Sequence, residues 1–221
     1  MSSIYCIVNQ NKKILSKNAV ILAELSELFG AQFKIHKSPN TLDALQFIHQ
    51  LDENCGYLLC IGGDGTFNYF VNKYPSVEKP IALFKGGTGN DFYWKLFGER
   101  SRQAHLDAVL AGHVEDFDAG SCNGQLFLNG VGIGIEGEVL KSMESIRYFK
   151  GGLGYYLAAI PNLLQFKSYH IQGQRKVFLC MVFNSSRAGG GFHFFPHAEM
   201  QDGLFDVMYC RHIPVWPRFF Y

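Results

Sequence analysis

The chain has 221 residues, of which 48% are hydrophobic and 18% are charged, so extensive disorder is excluded. Lys and Arg total 20 against 19 Asp and Glu, and the formal net charge of +1 without a basic cluster argues against sequence-independent binding of nucleic acid. No apolar run approaches the roughly 20 residues that cross a bilayer, and the N-terminus lacks the layout of a signal peptide. The six cysteines show no paired spacing, so we expect reduced thiols in a cytoplasmic chain.

Strands and helices alternate in the first half of the chain. Apolar runs predict buried strands over residues 4–8, 31–36, 57–61, 80–84 and 114–117. Three- and four-residue spacing of apolar side chains predicts helices over residues 14–29, 42–49 and 101–111, and another that follows the third strand through Val71. Strands separated by helices of this length are typical of parallel βαβ units. The sequence therefore predicts an α/β domain with a mostly parallel sheet over residues 1–118.

The second half has a different pattern. Strands are predicted within residues 125–135, 169–171, 177–183 and 204–209, with one apolar helix over 154–166. Successive strands without alternating helices favour an antiparallel sheet. We therefore expect residues 119–221 to form a second, mostly antiparallel β domain.

Two glycine-rich loops follow adjacent predicted strands. The first reads Gly62-Gly63-Asp64-Gly65-Thr66, and the second runs from Gly86 through Gly87-Thr88-Gly89-Asn90 to Asp91. Glycine lets a phosphate approach the backbone, and the helix after each loop offers N–H groups to an anion. Neither loop matches a Walker A or a G-x-G-x-x-G pattern. Together with the two loop carboxylates, they indicate Mg²⁺-assisted phosphoryl transfer, although tight turns with helix-capping side chains would explain each loop singly.

Several blocks, in order, resemble soluble bacterial diacylglycerol kinases and related lipid kinases. They are IGGDGTFN at 61–68, GTGNDF at 87–92, FLNGVGIG at 127–134, NS at 184–185 with GGGF at 189–192, PHA at 196–198 and DGLFD at 202–206. The similarity runs from about Tyr5 to Tyr209. NAD kinases and phosphofructokinases carry loops like the first, but the second loop and the later blocks favour the lipid kinases.

The resemblance implies roles for individual residues. Asp64, Asp91 and Asp118 correspond to catalytic carboxylates that organise Mg²⁺ through water. Asp202, with main-chain carbonyls near Glu199 and Leu204, corresponds to a structural Mg²⁺ site, for which a plain Asp-Gly turn is the alternative. ATP binding is implied for Asn9, Ser38, Gly62, Gly63, Asp64, Gly65, Thr66, Phe67, Asn68, Gly87, Thr88, Gly89 and Asn90.

The sequence also departs from the family pattern. Asn9 is followed by Gln-Asn-Lys rather than Pro-x-Ser-Gly, and Tyr69 stands where a Glu is common. The family's Val-Asp-Gly-Glu-like motif, which carries the general base, does not follow the Asp-Gly block. We therefore expect a C-terminally truncated chain with an incomplete β domain and a base beyond Tyr221. The similar Ile135-Glu-Gly-Glu138 segment is expected to begin a helix instead.

The resemblance implies an ATP- and Mg²⁺-dependent lipid kinase, with diacylglycerol as the first candidate acceptor and phosphatidic acid as its product. Such an enzyme would meet its lipid at the inner membrane surface as a peripheral protein, and a homodimer is among the expected assemblies. One alternative is a kinase of a soluble acceptor, as in NAD kinases. A second alternative is a truncated chain that binds nucleotide or lipid without catalysing transfer.

Overall fold

The computed structural model describes residues 3–9, 12–38, 55–73, 79–87, 89–145, 160–170, 176–215 and 217. The chain folds into two compact units, Met1–Glu115 and Asp116–Tyr221. The first holds a parallel sheet with helices and the second holds antiparallel sheets, which confirms the predicted fold class. The helix predicted over 42–49 lies outside the described residues.

The first unit is organised around a four-stranded sheet. Its strands are β1 (Ser3–Asn9), β2 (Phe33–Ser38), β3 (Cys55–Gly62) and β4 (Ile81–Lys85), in the order β2-β1-β3-β4. The helices are α1 (Lys12–Phe29), α2 (Asp64–Lys73), α3 (Asp91–Phe97) and α4 (Arg102–Leu110). All neighbouring strands pair in parallel, so their carboxyl ends share one edge of the sheet, where ligands bind in open α/β folds.

One face of this sheet carries a continuous apolar core. Leu25 of α1 and Leu106 of α4 pack with Cys6 of β1 and Leu59 of β3 in one buried cluster. Fully burying a side chain of leucine size stabilises the fold by about 1.5–3 kcal/mol. Burial also raises the pKa of the Cys6 thiol to about 12, so this cysteine stays protonated in the core.

Two predicted strands differ from the structure. β2 begins at Phe33 rather than at residue 31, because Gly30 takes a positive φ of 53° and residues Gly30–Gln32 form a 3-10 turn. The strand predicted over 114–117 is wrong, since no strand forms there. The Asp116 carbonyl instead accepts a hydrogen bond from the side chain of Gln201, and Val114 is exposed. Without a neighbouring strand, the backbone groups of this segment cannot form the hydrogen-bond ladder that defines a strand.

The second unit contains an antiparallel sheet centred on one strand. β9 (Lys176–Phe183) pairs with β7 (Gly130–Gly134), β8 (Tyr169–His170) and β12 (Asp206–Arg211). Two further pairs are β5 (Gly120–Cys122) with β6 (Gln125–Phe127), and β10 (Arg187–Ala188) with β11 (Phe192–His193). Residues 160–165 are helical, whereas the earlier part of the helix predicted over 154–166 lies outside the described residues.

The turn from β7 into α5 (Ile135–Ser145) requires a glycine. Gly134 has a φ of +123°, and a Cβ there would lie 2.3 Å from the Phe178 carbonyl oxygen. The turn directs Ile135 and Val139 of α5 onto Phe178 in a buried cluster. The expectation that the Ile135-Glu-Gly-Glu138 segment begins a helix is confirmed.

Within the described part of the chain, no helix combines the length and the apolar character that crossing a membrane requires.

The buried His105 predicts a pH dependence of stability. Its Nε2 lies 2.7 Å from the Leu83 carbonyl oxygen, and burial lowers the pKa of the imidazole. In the unfolded chain His105 is protonated below about pH 6.5, whereas in the folded chain it stays neutral to lower pH. The contribution of His105 to the free energy of unfolding is therefore fully present above about pH 6.5 and is lost as the pH falls below it. We expect the urea midpoint to decrease between pH 7.5 and 5.5. In His105→Gln this decrease should be smaller, and an equal decrease in both proteins would contradict the assignment.

Candidate functional site

Two loops meet at the carboxyl edge of the parallel sheet. We call Gly62–Thr66 glycine loop 1 and Gly86–Asp91 glycine loop 2. The Gly86 N–H donates to the Gly62 carbonyl at 2.7 Å. A Cβ on Gly87 would lie 2.5 Å from the Gly63 Cα, and a Cβ on Gly63 would lie 2.8 Å from the Gly87 Cα. The loops therefore pack backbone against backbone, which only glycine at both positions allows.

Glycine loop 2 is closed by the side chain of Asn90. Its Oδ1 accepts from the Gly87 N–H at 2.8 Å, and its Nδ2 donates to the Gly87 carbonyl at 3.2 Å. Asn90 is buried and adopts a left-handed conformation with φ 56°, which asparagine tolerates better than most residues. The contacts give this predicted ATP-binding residue a loop-closing role. Gly89 lies in the same loop, and Thr88 lies outside the described residues.

Asp64 joins the two loops through its carboxylate. Its Oδ1 accepts from the Phe92 N–H at 2.7 Å, and its Oδ2 accepts from the Asp91 N–H at 3.1 Å. These are the first amides of α3, so Asp64 caps a helix that begins in the other loop. The expectation that this helix offers its amides to a phosphate is therefore wrong for these two amides. Because a carboxylate oxygen has more than one lone pair, an oxygen that accepts from an amide can also take part in the water shell of a cation.

The start of α2 is the open part of the site. A Cβ on Gly65 would meet nothing within 4 Å, and Gly65 and Thr66 are exposed. Gly62 is sterically constrained, because its Cβ would lie 2.4 Å from the Thr66 Cβ. Structural packing therefore explains the glycine at position 62 but not the glycine at position 65.

Two of the predicted ATP-binding residues in α2 have structural roles. The Phe67 side chain is buried and its ring contacts Phe92, with centroids 6.4 Å apart. The Asn68 carbonyl accepts a hydrogen bond from the side chain of Asn72 at 2.8 Å. The Phe67 contact explains an aromatic residue at position 67, whereas the bond at position 68 uses the backbone, so the ATP contact of Asn68 stays a prediction.

Asn9 and Ser38 end neighbouring strands. They are paired partners at the carboxyl ends of β1 and β2, so the sheet brings them to the edge from which the glycine loops leave. The prediction that both contact ATP is compatible with this placement and stays a prediction.

Asp118 belongs to the second unit, where three of its groups are hydrogen bonded. Its N–H donates to the Met200 carbonyl at 2.8 Å, and its Oδ2 accepts from the Gly203 N–H at 2.8 Å. Its carbonyl accepts from the Asn184 Nδ2 at 2.7 Å. Asn184 has no exposed surface and also donates to the Leu128 carbonyl at 3.2 Å. The sequence placed Asn184 in a family block without a role, and its position beneath Asp118 is visible only in three dimensions.

The predicted structural Mg²⁺ site lies in an exposed turn. The Asp202 Oδ1 accepts from the Leu204 N–H at 2.9 Å, and Gly203 has a φ of +70°. Glu199 is exposed in the same segment. This geometry is that of the Asp-Gly turn offered as the alternative, and the metal at this position stays a prediction.

No group of three His, Cys, Asp or Glu side chains that could hold a metal occurs among the described residues. Mg²⁺ needs fewer protein ligands, because it keeps several waters and binds through one or two carboxylates together with substrate phosphates. Asp64 fits this donor chemistry, since its carboxylate is oriented by the first two amides of α3, whereas the Asp91 side chain is buried. The arrangement can therefore hold a magnesium–phosphate complex at the glycine loops.

Two family models match the chain. Residues 4–122 match the diacylglycerol kinase catalytic domain, and residues 129–215 match the YegS C-terminal NAD kinase beta sandwich-like domain. A diacylglycerol kinase of Bacillus subtilis is 32% identical over 167 residues, covering 70% of this chain and 54% of its own length. A Shewanella frigidimarina protein described as "Probable lipid kinase YegS-like" is 28% identical over 192 residues, covering 80% of this chain and 62% of its own length. The chain thus spans between about half and three fifths of these relatives.

Solved structures share the fold. A diacylglycerol kinase structure from Bacillus anthracis superposes with a TM-score of 0.66 at 24% identity, covering 98% of this chain and 75% of that chain. A second structure from the same organism has a TM-score of 0.72 at 26% identity, covering 95% and 76%. Both superpositions span the parallel and the antiparallel parts of the chain.

The contact between the loops predicts a large cost for one methyl group. In Gly87→Ala the added Cβ would overlap the Gly63 backbone, which cannot rotate away, so we expect a loss of about 1–3 kcal/mol in the free energy of unfolding. Gly65→Ala places the same methyl in open space and should change stability by at most about 1 kcal/mol. Urea unfolding followed by circular dichroism measures both, and equal losses would refute the proposed packing.

Proposed function

Because the chain belongs to the diacylglycerol kinase catalytic domain family, we propose that it transfers the γ-phosphate of ATP to a lipid hydroxyl. The acceptor we propose is diacylglycerol, with phosphatidic acid as the product. The observation that carries the proposal is the joining of the two glycine loops by Asp64, whose carboxylate lies at the start of α2 next to the exposed Gly65. We assign nucleotide binding to residues 1–118 and a supporting role to residues 119–221.

Gly65 supplies the strongest support for phosphate binding in glycine loop 1. It is exposed, and apart from the neighbouring residues and the backbone of its own helix, no atom lies within 4 Å of where a methyl group on its Cα would be. A glycine without an internal reason is expected where a ligand must approach the backbone. The neighbouring Thr66 hydroxyl is exposed and can donate to a phosphate oxygen.

The proposed metal ligands are Asp64 and Asp91, and the expected role of Asp118 in organising Mg²⁺ stays a prediction. Mg²⁺, when bound, supplies positive charge to the phosphate oxygens of the transferring group. Asp64 is already oriented by two amides, so its carboxylate is fixed before any ligand arrives. The Asp118 carboxylate is held by one amide, that of Gly203, while its backbone N–H donates to the Met200 carbonyl. Preorganised carboxylates avoid the entropy cost of ordering them during catalysis.

The lipid acceptor places the proposed reaction at a membrane surface, and we propose peripheral association for the chain. A soluble acceptor is the second candidate function, because residues 129–215 match a domain described as NAD kinase beta sandwich-like. The two candidates differ in their dependence on a lipid interface. Diacylglycerol phosphorylation requires micelles or vesicles, whereas NAD phosphorylation does not.

Gly65→Ala tests the proposed nucleotide site without disturbing the fold. The added methyl should block the approach of phosphate, so we expect the thermal stabilisation by ATP with Mg²⁺ to disappear and transfer of radiolabelled phosphate to diacylglycerol in mixed micelles to fall by about 10²-fold or more. Gly137→Ala is the matched control, because this glycine is also helical and a Cβ there meets nothing within 4 Å. The control should retain both properties.

The acceptor assay has three informative outcomes. Transfer to diacylglycerol in micelles supports the lipid kinase, while transfer to NAD in the absence of micelles would replace it with the soluble-acceptor candidate. ATP-dependent stabilisation without transfer to either acceptor would reject phosphotransfer by this chain and favour a nucleotide-binding role.

Asp64→Asn separates the two roles of this residue. The amide keeps one acceptor oxygen but turns an NH₂ group toward the second α3 amide, so we expect a loss of about 1.5–3 kcal/mol in unfolding free energy. Removal of the charge should also abolish the Mg²⁺ dependence of ATP stabilisation. Asp107→Asn, at an exposed site in α4, controls for the charge change. Unchanged stability in Asp64→Asn would contradict the capping role, and an unchanged Mg²⁺ response would contradict metal binding.

A further inference from the structure

A small cavity in the first unit lies between α1, β4, α3 and α4. Its volume is about 80 Å³, and its lining includes Lys85, Arg100, Arg102, Tyr93 and His105. One water needs about 10–15 Å³ on this measure, so the cavity has room for a group several times larger. We call it the basic cavity. Its residues belong to neither glycine loop, although Lys85 directly precedes glycine loop 2.

Aromatic rings, rather than carboxylates, hold two of these cations in place. The Lys85 Nζ lies 4.2 Å from the centroid of the Trp94 ring. The Arg100 Cζ lies 5.5 Å from the Phe97 centroid, and the Arg100 Nε donates to the Phe97 carbonyl at 2.9 Å. Among the residues that the structure describes, neither cation forms an ion pair with an acidic side chain. The rings orient both cations, although Lys85 is exposed, and no carboxylate of the described residues neutralises either one.

Charge balance indicates the kind of ligand. Arg102 pairs with Glu24, so within the described ranges three cations around the cavity have one carboxylate partner, which leaves two positive charges. His105 adds no charge, because its buried ring has a lowered pKa and its Nε2 is bonded to the Leu83 carbonyl. A phosphate dianion would neutralise this excess. Guanidinium groups suit its paired oxygens, and the lysine provides a compact point charge.

We propose that the basic cavity binds a phosphate-type tetrahedral oxyanion through Lys85, Arg100 and Arg102. The ligand is either inorganic phosphate in solution or the phosphomonoester head group of a lipid such as phosphatidic acid. The site is separate from the nucleotide site proposed above. Bound phosphate would brace Lys85, and through it the strand end from which glycine loop 2 departs.

Isothermal titration of inorganic phosphate into the full 221-residue chain tests the site. The titrations are made against chloride at equal ionic strength. Phosphate should bind once per chain, and Lys85→Gln or Arg100→Gln should weaken the affinity by about tenfold or more. Lys79→Gln is the control, because it also removes one positive charge but lies before the start of β4, at the opposite end of the strand from Lys85. It should change the affinity by no more than about twofold. Equal binding by wild type, Lys85→Gln and Lys79→Gln would overturn the proposal.

Two further variants guard against misinterpretation. Lys85→Arg keeps the positive charge and the ring contact, so it should still bind phosphate. This result would show that Lys85→Gln loses phosphate binding because the charge is removed and not because the variant unfolds. Gly65→Ala should keep phosphate binding while losing ATP, which separates this site from the nucleotide site. If Gly65→Ala instead removes the phosphate signal, the oxyanion occupies glycine loop 1 and the basic cavity is not the site.

Vesicle sedimentation distinguishes the two sources of the oxyanion. If the lipid head group is the ligand, the chain should sediment with phosphatidylcholine vesicles containing phosphatidic acid more than with phosphatidylcholine alone, and Lys85→Gln should lose this difference. If free phosphate is the ligand, calorimetry should show phosphate binding, and vesicles containing phosphatidic acid should not compete with it. Absence of binding in both experiments would reject the site.

Discussion

The close approach of Gly63 and Gly87 constrains the whole candidate site. The two backbones are too near for a side chain on either residue, and the Gly86 amide bonds the Gly62 carbonyl beside them. This contact sets where α2 and α3 begin and therefore where their first side chains lie. Packing between the loops accounts for glycine at these positions before any ligand is considered. Of the glycines at positions 62, 63, 65 and 87, only Gly65 has no packing reason, so it is the one for which the proposed phosphate binding offers an explanation.

The Asp64 carboxylate combines structural and chemical demands in one group. Its two hydrogen bonds to α3 orient the oxygens, which is also what binding of a hydrated cation requires. In the second unit, Asp118 shows the same arrangement, with its carboxylate bonded to the Gly203 amide. In both places a backbone N–H holds an acidic side chain that a metal shell can share. Loss of either acid therefore removes hydrogen bonds that hold the fold.

Most of the fold was predictable from the sequence because apolar periodicity reports directly on buried faces. The parallel strands and α1 follow this signal, whereas residues 114–117 were misassigned because periodicity does not reveal whether a neighbouring strand exists. In the site, the motifs indicated the two loops and their acids. They did not indicate that Asp64 caps the helix of the other loop, or that Asn184 lies beneath Asp118, since both contacts join segments distant in sequence. Long-range hydrogen bonds leave no local pattern.

The span between Asp64 and its partners also sets an order for folding during synthesis. The carboxylate bonds an amide 28 residues further along, and β4, which forms between them, is an edge strand of the sheet. On the ribosome, β1, β2 and β3 can emerge and pair before α3, the helix that Asp64 caps, has been synthesised. Chains grow at about 5–20 residues per second, so this interval lasts seconds, far longer than a helix needs to form. During it, the unpaired edge of β3 and the uncovered ring of Phe67 are what a chaperone would encounter.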